Sequence, residues 1–189
     1  MNIFIRLLIL MLLVTGCSTK FDKDNICSIY DANPGWEDTM GLVEEKWGVS
    51  AELLMAVARY ESSFEAEARS PRRRYFGFIP GKRISTAYGY SQALDSTWQE
   101  YIERTNSDGA DRNSFEDALN FIGWYMRRAN RSLNIPLSDG YKLYLVYHEG
   151  HRGFLSGRYK SSPKLMLVAH KVESMRRIYR KQLNRCRPN

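Results

Sequence analysis

A chain of 189 residues is long enough for one domain of ordinary size and too short for two comfortable ones. With 43% hydrophobic and 26% charged residues it can bury a sizeable core, which excludes a wholly disordered chain. Aromatic residues reach 13%, and 28 Lys+Arg against 21 Asp+Glu leave a formal charge of +7, a balance that favours acidic partners without naming one.

Residues 1–16 carry one charged side chain, Arg6, followed by an apolar run from Leu7 to Val14. That run is too short to span a bilayer and fits the hydrophobic segment of a secretory signal. Val14-Thr15-Gly16-Cys17 resembles a bacterial lipobox, which implies diacylglycerol on Cys17 and a new N-terminus there. Ser18 behind it is similar to an outer-membrane sorting residue. The expected location is therefore the outer membrane of the cell envelope, facing the periplasm, with the membrane a partner through the anchor. An ordinary signal peptide with an incidental Cys is the alternative. Lipid on Cys17 leaves Cys27 and Cys186. In an oxidising compartment these two can join and close a loop of roughly 160 residues as a staple without a catalytic role, or remain as two free thiols.

Residues 17–33 read as a polar tether, and the domain is expected over 34–189. From Pro34 onward the periodicity is helical, and no alternating strand pattern with hairpin turns stands out. Trp36, Met40, Val43 and Trp47 share one helical face ahead of Gly48. Ser50 then suits an N-cap for a helix from Ala51 to about Ser63. Further helices are expected from Tyr88 to Arg104, from Ser114 to about Ser132, and from Ser138 through Tyr147. Ser162 and Pro163 open a last one to about Leu183. The predicted fold class is all-α, one domain.

Glu61 is set apart from the other acids. It follows Leu54 by seven positions, Val57 by four and Ala58 by three, so all four share the apolar face of one helix. A carboxyl turned to a core loses water, its pKa rises, and it can hold the proton that a general acid must give. A helix-end carboxylate paired with Arg59, or placed at the lip of the core, is the plainer reading of the same spacing.

Three short motifs follow in order: Glu61-Ser62-Ser63-Phe64, Gly89-Tyr90-Ser91-Gln92 and Tyr147-His148-Glu149-Gly150. Together they resemble the catalytic domain of soluble lytic transglycosylases, over about residues 36–160. The resemblance implies a lysozyme-like helical domain with a substrate cleft and peptidoglycan glycan strands as the partner. It also implies cleavage of the β-1,4 bond between N-acetylmuramic acid and N-acetylglucosamine with formation of 1,6-anhydromuramic acid. Glu61 takes the place of the family's catalytic carboxylate, which protonates the glycosidic oxygen and then draws the proton from the muramyl C6 hydroxyl. Ser62 matches a Ser thought to help position that acid, and Gln92 matches a cleft Gln that bonds sugar. Tyr90 stands beside Gln92, and Tyr147 matches a Tyr that approaches the acid and the muramyl sugar. This chain departs from the family's common pattern at Ser91 and at His148 and Glu149, which puts ionisable groups at the cleft edge. A hydrolase on the same fold, with Glu65, Glu67 or Glu149 as a second carboxylate, and a non-catalytic wall-binding lipoprotein are the alternatives.

Residues 72–83 read as an added loop over the cleft, with aromatics for glycan and bases for acidic peptide stems or phospholipid. His148-Glu149-Gly150-His151 misses the zincin spacing by one position, and no phosphate-loop or dinucleotide fingerprint occurs. Neither a metal nor another cofactor is expected. Export argues against nucleic acid as the partner of the basic runs.

Overall fold

The structure is a computed structural model that describes residues 21–186. Residues 1–20, including Cys17 and the apolar run before it, lie outside the described residues, as do 187–189.

The first helix falls where a tether was expected. α1 (Ile26–Ala32) is capped by the Asn25 side chain, which accepts from the backbone N–H of Cys27 and Ser28. Ile26 and Ile29 are fully buried. α1 docks on the last helix, α7 (Pro163–Cys186): the Ile26 N–H donates to Gln182 Oε1 at 3.0 Å, and Tyr179 Oη donates to the Lys23 carbonyl. A disulfide joins Cys27 to Cys186 across a separation of 159 residues. Long-range docking makes this segment part of the core, and its polar composition hides that.

α2 (Trp36–Trp47) ends at Gly48, whose φ of +65° suits a helix C-cap. The Trp47 ring lies against the backbone of Gly123, where a Cβ would come within 2.6 Å of the indole, and its Nε1 donates to Asn120 Oδ1 at 3.0 Å. α3 (Ala51–Ser62) is the central element. Every residue from Ala51 to Ala58 is buried, so its wall extends beyond the single apolar stripe of the periodicity. Glu52 is buried with it and is ion-paired to Arg180 at 2.9 Å. The buried Arg176 lies 3.8 Å from the same carboxylate and also binds Glu173 at 2.7 Å. Substituting Arg176→Ala takes one of two cations from each of two shielded carboxylates, leaving Arg180 on Glu52 and Arg177 on Glu173, and is expected to cost about 2 kcal/mol at neutral pH, read by denaturant unfolding.

After α3 the chain forms an antiparallel hairpin, β1 (Arg72–Tyr75) and β2 (Ile79–Arg83), with Arg72 opposite Arg83 and Tyr75 opposite Ile79. The sequence gives no strand signal here because nearly every hairpin residue is exposed, leaving no inward face to alternate with. The turn is made by Phe76 and Gly77, both at positive φ.

α4 (Asp95–Thr105) starts seven residues later than the expected Tyr88. Residues 88–94 form a loop instead, because Gly89 sits at φ +74° against the Arg112 carbonyl, where a Cβ would lie at 1.9 Å. α5 (Phe115–Leu133) opens at Ser114, whose hydroxyl accepts from the Asp117 N–H. α6 (Gly140–Leu155) opens at Asp139 and continues past Tyr147, with a kink at Gly150 (φ +72°, ψ 164°). A 3₁₀ turn over Arg158–Ser161 leads into α7. α3 packs against α7, α5 and α2, and α6 closes on α5 and α7. The expected all-α class holds, with one small two-stranded hairpin added. No described helix is long and apolar enough to cross a membrane.

Candidate active site

α3 ends abruptly. Ser63 and Phe64 both take positive φ, 55° and 62°, and the buried Phe64 ring is held 6.0 Å from Trp36 and 6.1 Å from Phe21. The chain therefore turns away just after Glu61, leaving that side chain on the last helical turn, where it lines a cleft of about 470 Å³. Ser70, Pro71 and Ser85 also line the cleft, as do Phe121, Tyr125 and Tyr147.

Glu61 is half-buried as a residue, yet its Oε1 is shielded from solvent and has no hydrogen-bond partner among the described residues. Loss of water pushes its pKa up to about 7, and hydrogen bonding from the Tyr144 phenol opposes part of that rise. Neither Arg59 nor any other described cation pairs with it; Arg59 binds Asp24 at 3.0 Å and the Ser63 hydroxyl. The acid is thus suited to hold a proton near neutrality and to release it within the cleft.

Tyr147 comes from α6. Its hydroxyl donates to the Ser91 carbonyl at 2.6 Å, fastening the 88–94 loop to the helix, and its own ionisation is suppressed by burial and by Glu61. The Tyr125 ring meets it edge-on at 5.4 Å. Gln92 lines the cleft in a left-handed backbone conformation. Its Nε2 donates to the carbonyls of Ala68 and Gly89, each at 2.9 Å, so the side chain braces two loops and has its Oε1 left to offer as an acceptor.

Two expected cleft residues lie elsewhere. Ser62 is buried, and its hydroxyl donates to the Ala58 carbonyl one turn back, as a helix-terminal Ser can. It does not touch the acid by a hydrogen bond. Tyr90 packs edge-on to Trp36 at 5.8 Å and to Phe115 at 5.5 Å, within an aromatic cluster where Trp36 stacks on Phe115 at 3.5 Å. Aromatic packing takes the ring out of the cleft lining. The side chain of Ser91 is fully buried, so the polar substitution presents no hydroxyl to the cleft; its carbonyl is the atom in use.

His148 and Glu149 both line the cleft. His148 is exposed, and its Nδ1 lies 3.3 Å from Glu149. Glu149 is bound by the Arg158 guanidinium, which holds its carboxyl below the usual range. Arg158 also donates to the Glu149 carbonyl at 3.0 Å. The two cleft carboxyls are therefore pushed apart in protonation, Glu61 towards the acid and Glu149 towards the anion. Glu65, on the surface, pairs with Lys23 at 3.2 Å.

Tyr144 and Arg158 escaped the sequence reading. Tyr144 precedes Tyr147 by three positions and so shares its helical face, a signal that was available. Arg158 reaches Glu149 across the Gly150 kink and the turn after α6, and no local spacing announces that.

The chain matches the family described as Transglycosylase SLT domain over residues 5–186. No curated protein and no solved structure matches it.

Proposed function

We propose that this chain, which belongs to the transglycosylase SLT domain family, is a peptidoglycan lyase using Glu61 as both acid and base. Membership implies a lysozyme-like fold, peptidoglycan as the substrate and lytic transglycosylase activity in general. The observation that carries the finer reading is the contrast between two cleft carboxyls: Glu61, whose shielded Oε1 has no hydrogen-bond partner among the described residues, and Glu149, bound by the Arg158 guanidinium.

In this reading protonated Glu61 gives its proton to the β-1,4 glycosidic oxygen between N-acetylmuramic acid and N-acetylglucosamine, and the C1–O bond breaks. The resulting carboxylate takes the proton from the C6 hydroxyl of the same muramyl unit, whose oxygen closes on C1. The proton lost in the first step is recovered in the second, and no water is consumed. Hydrolysis would need a second carboxylate free to activate water or bond to the sugar. Glu149, committed to Arg158, is poorly placed for that duty. Tyr147 and Gln92 form the polar walls beside the sugar, and Phe121 and Tyr125 its apolar side. With the lipobox at Cys17, the same reading makes the chain an outer-membrane lipoprotein acting on the wall from the periplasmic side.

The test is turnover of purified peptidoglycan. Soluble muropeptides should appear, with kcat/KM falling about tenfold per pH unit above about 7 as Glu61 loses the proton it must donate. Binding without release of product at any pH would overturn the reading in favour of a wall-binding protein. A rate that rises steadily through pH 7 would show that Glu61 is not the acid.

A further inference from the structure

The hairpin of β1 and β2 plays no part in the chemistry above, yet it carries a conspicuous surface. Phe76 is 88% exposed, Phe78 74% and Ile79 43%. Tyr75, itself exposed, lies across Gly81, where a Cβ would meet the phenol ring at 2.5 Å. Between Tyr75 and Pro80 no side chain is charged or a strong hydrogen-bonding group, and Tyr75 pairs across the strands with Ile79, so the tip gathers four exposed apolar side chains. Large exposed apolar surfaces of this kind mark contacts with something else.

Cations surround the tip. Arg72, Arg73, Arg74, Lys82 and Arg83 flank it, and no acid occurs between Ala68 and Leu94. Arg72 and Arg83 donate to the backbone carbonyls of Gly81 and Ser70, at 3.3 and 2.7 Å, and no described carboxylate forms an ion pair with any of the five. Both strands are open to solvent along nearly their whole length, and none of residues 72–83 is among those that line the cleft. A sugar site would require fixed ring faces interleaved with amide or hydroxyl partners. An apolar tip with a cationic collar instead matches the depth profile of an anionic lipid leaflet, acyl chains beneath phosphates.

We propose that this hairpin is a membrane-interfacial element that inserts Phe76 and Phe78 into an anionic phospholipid surface, with the flanking Arg and Lys side chains at the phosphates. Its base is continuous with Ser70, Pro71 and Ser85, which line the cleft holding Glu61. Insertion would therefore set the attitude of the cleft relative to the membrane. The proposal does not depend on the reaction at Glu61, and an inactive enzyme would leave it standing.

The test uses the full chain carrying Phe78→Trp, with the parent chain and its 4 native Trp as the background. Vesicles of phosphatidylethanolamine and phosphatidylglycerol, with and without brominated acyl chains, are the probe. The added indole should shift to the blue and be quenched by the brominated lipid. Both effects should be lost in phosphatidylcholine vesicles and when Arg72, Arg73 and Arg74 are all replaced by Glu. Reading the signal at position 78 separates tip insertion from any anchoring by residues 1–20. An emission unchanged on anionic vesicles would overturn the proposal. A shift produced by soluble glycan fragments or acidic stem peptides, with none on anionic lipid, would also overturn it and assign the tip to the wall. Circular dichroism checks the fold of each variant; these exposed side chains lie outside the core.

Discussion

Glu61→Gln is expected to lower the rate of peptidoglycan cleavage on the order of 10³-fold, because the amide can neither give the leaving oxygen a proton nor take one from the C6 hydroxyl. Glycan binding should persist, since Gln keeps the shape of the side chain and the cleft walls are untouched. Stability supplies an independent readout. A carboxyl whose folded pKa is raised from 4.5 to about 7 stabilises the fold most below 4.5, and that contribution is lost as pH rises through about 7. Native chain and variant should therefore unfold alike near pH 4. Above pH 7 the variant should be more stable, on the order of 2 kcal/mol, because the native fold must then shelter an anion. Substantial activity in the variant would mean that the carboxyl is not the acid, and a variant less stable at pH 8 would mean that it is not poorly solvated.

Converting Cys27 and Cys186 together to Ser should be among the most destabilising surface-neutral changes available, costing about 4 kcal/mol. Closing a loop of 159 residues removes much of the freedom of the unfolded chain, and the chain-entropy account puts the limit near ~5 kcal/mol for such a loop. For a chain of this size the loss corresponds to a Tm lower by roughly 10 °C. The native contacts left behind are those of α1 on α7: buried Ile26 and Ile29, the Gln182 bond to the Ile26 N–H, and Tyr179 on the Lys23 carbonyl. These should keep α1 docked in the folded state, so the deficit should appear equally in the native chain after reduction. A loss below about 1 kcal/mol would show that the bridge constrains little.

What the sequence disclosed, and what it withheld, follows from the range of the interactions involved. Helices with local signals, such as α5 behind the Ser114 cap and α3 behind Ser50, could be placed from spacing alone. α1 could not, because a helix of seven residues is marginal by itself and is held by partners some 150 residues away, on α7. The hairpin was invisible because a strand pair exposed on both faces has no hydrophobic period. Within the site, the apolar face carrying Glu61 was legible as periodicity. The fates of the two tyrosines were not: Tyr147 reached the cleft while Tyr90 joined the Trp36 and Phe115 rings, and only tertiary packing distinguishes them. Ser62 shows the same limit at shorter range, since its hydroxyl had the Ala58 carbonyl within reach all along. Arg158, which decides the charge of Glu149, lies beyond a kink that no residue pattern foretold.

The most direct measurement is the mass of the new muramyl end when the native chain digests purified peptidoglycan in water enriched in ¹⁸O. If Glu61 serves as acid and base with the C6 hydroxyl as nucleophile, the released muropeptides carry an anhydro end, lighter by one water, with no reducible carbon and no ¹⁸O. A reducible muramic acid bearing ¹⁸O at C1 would contradict this account and make the enzyme a hydrolase with a second group delivering water.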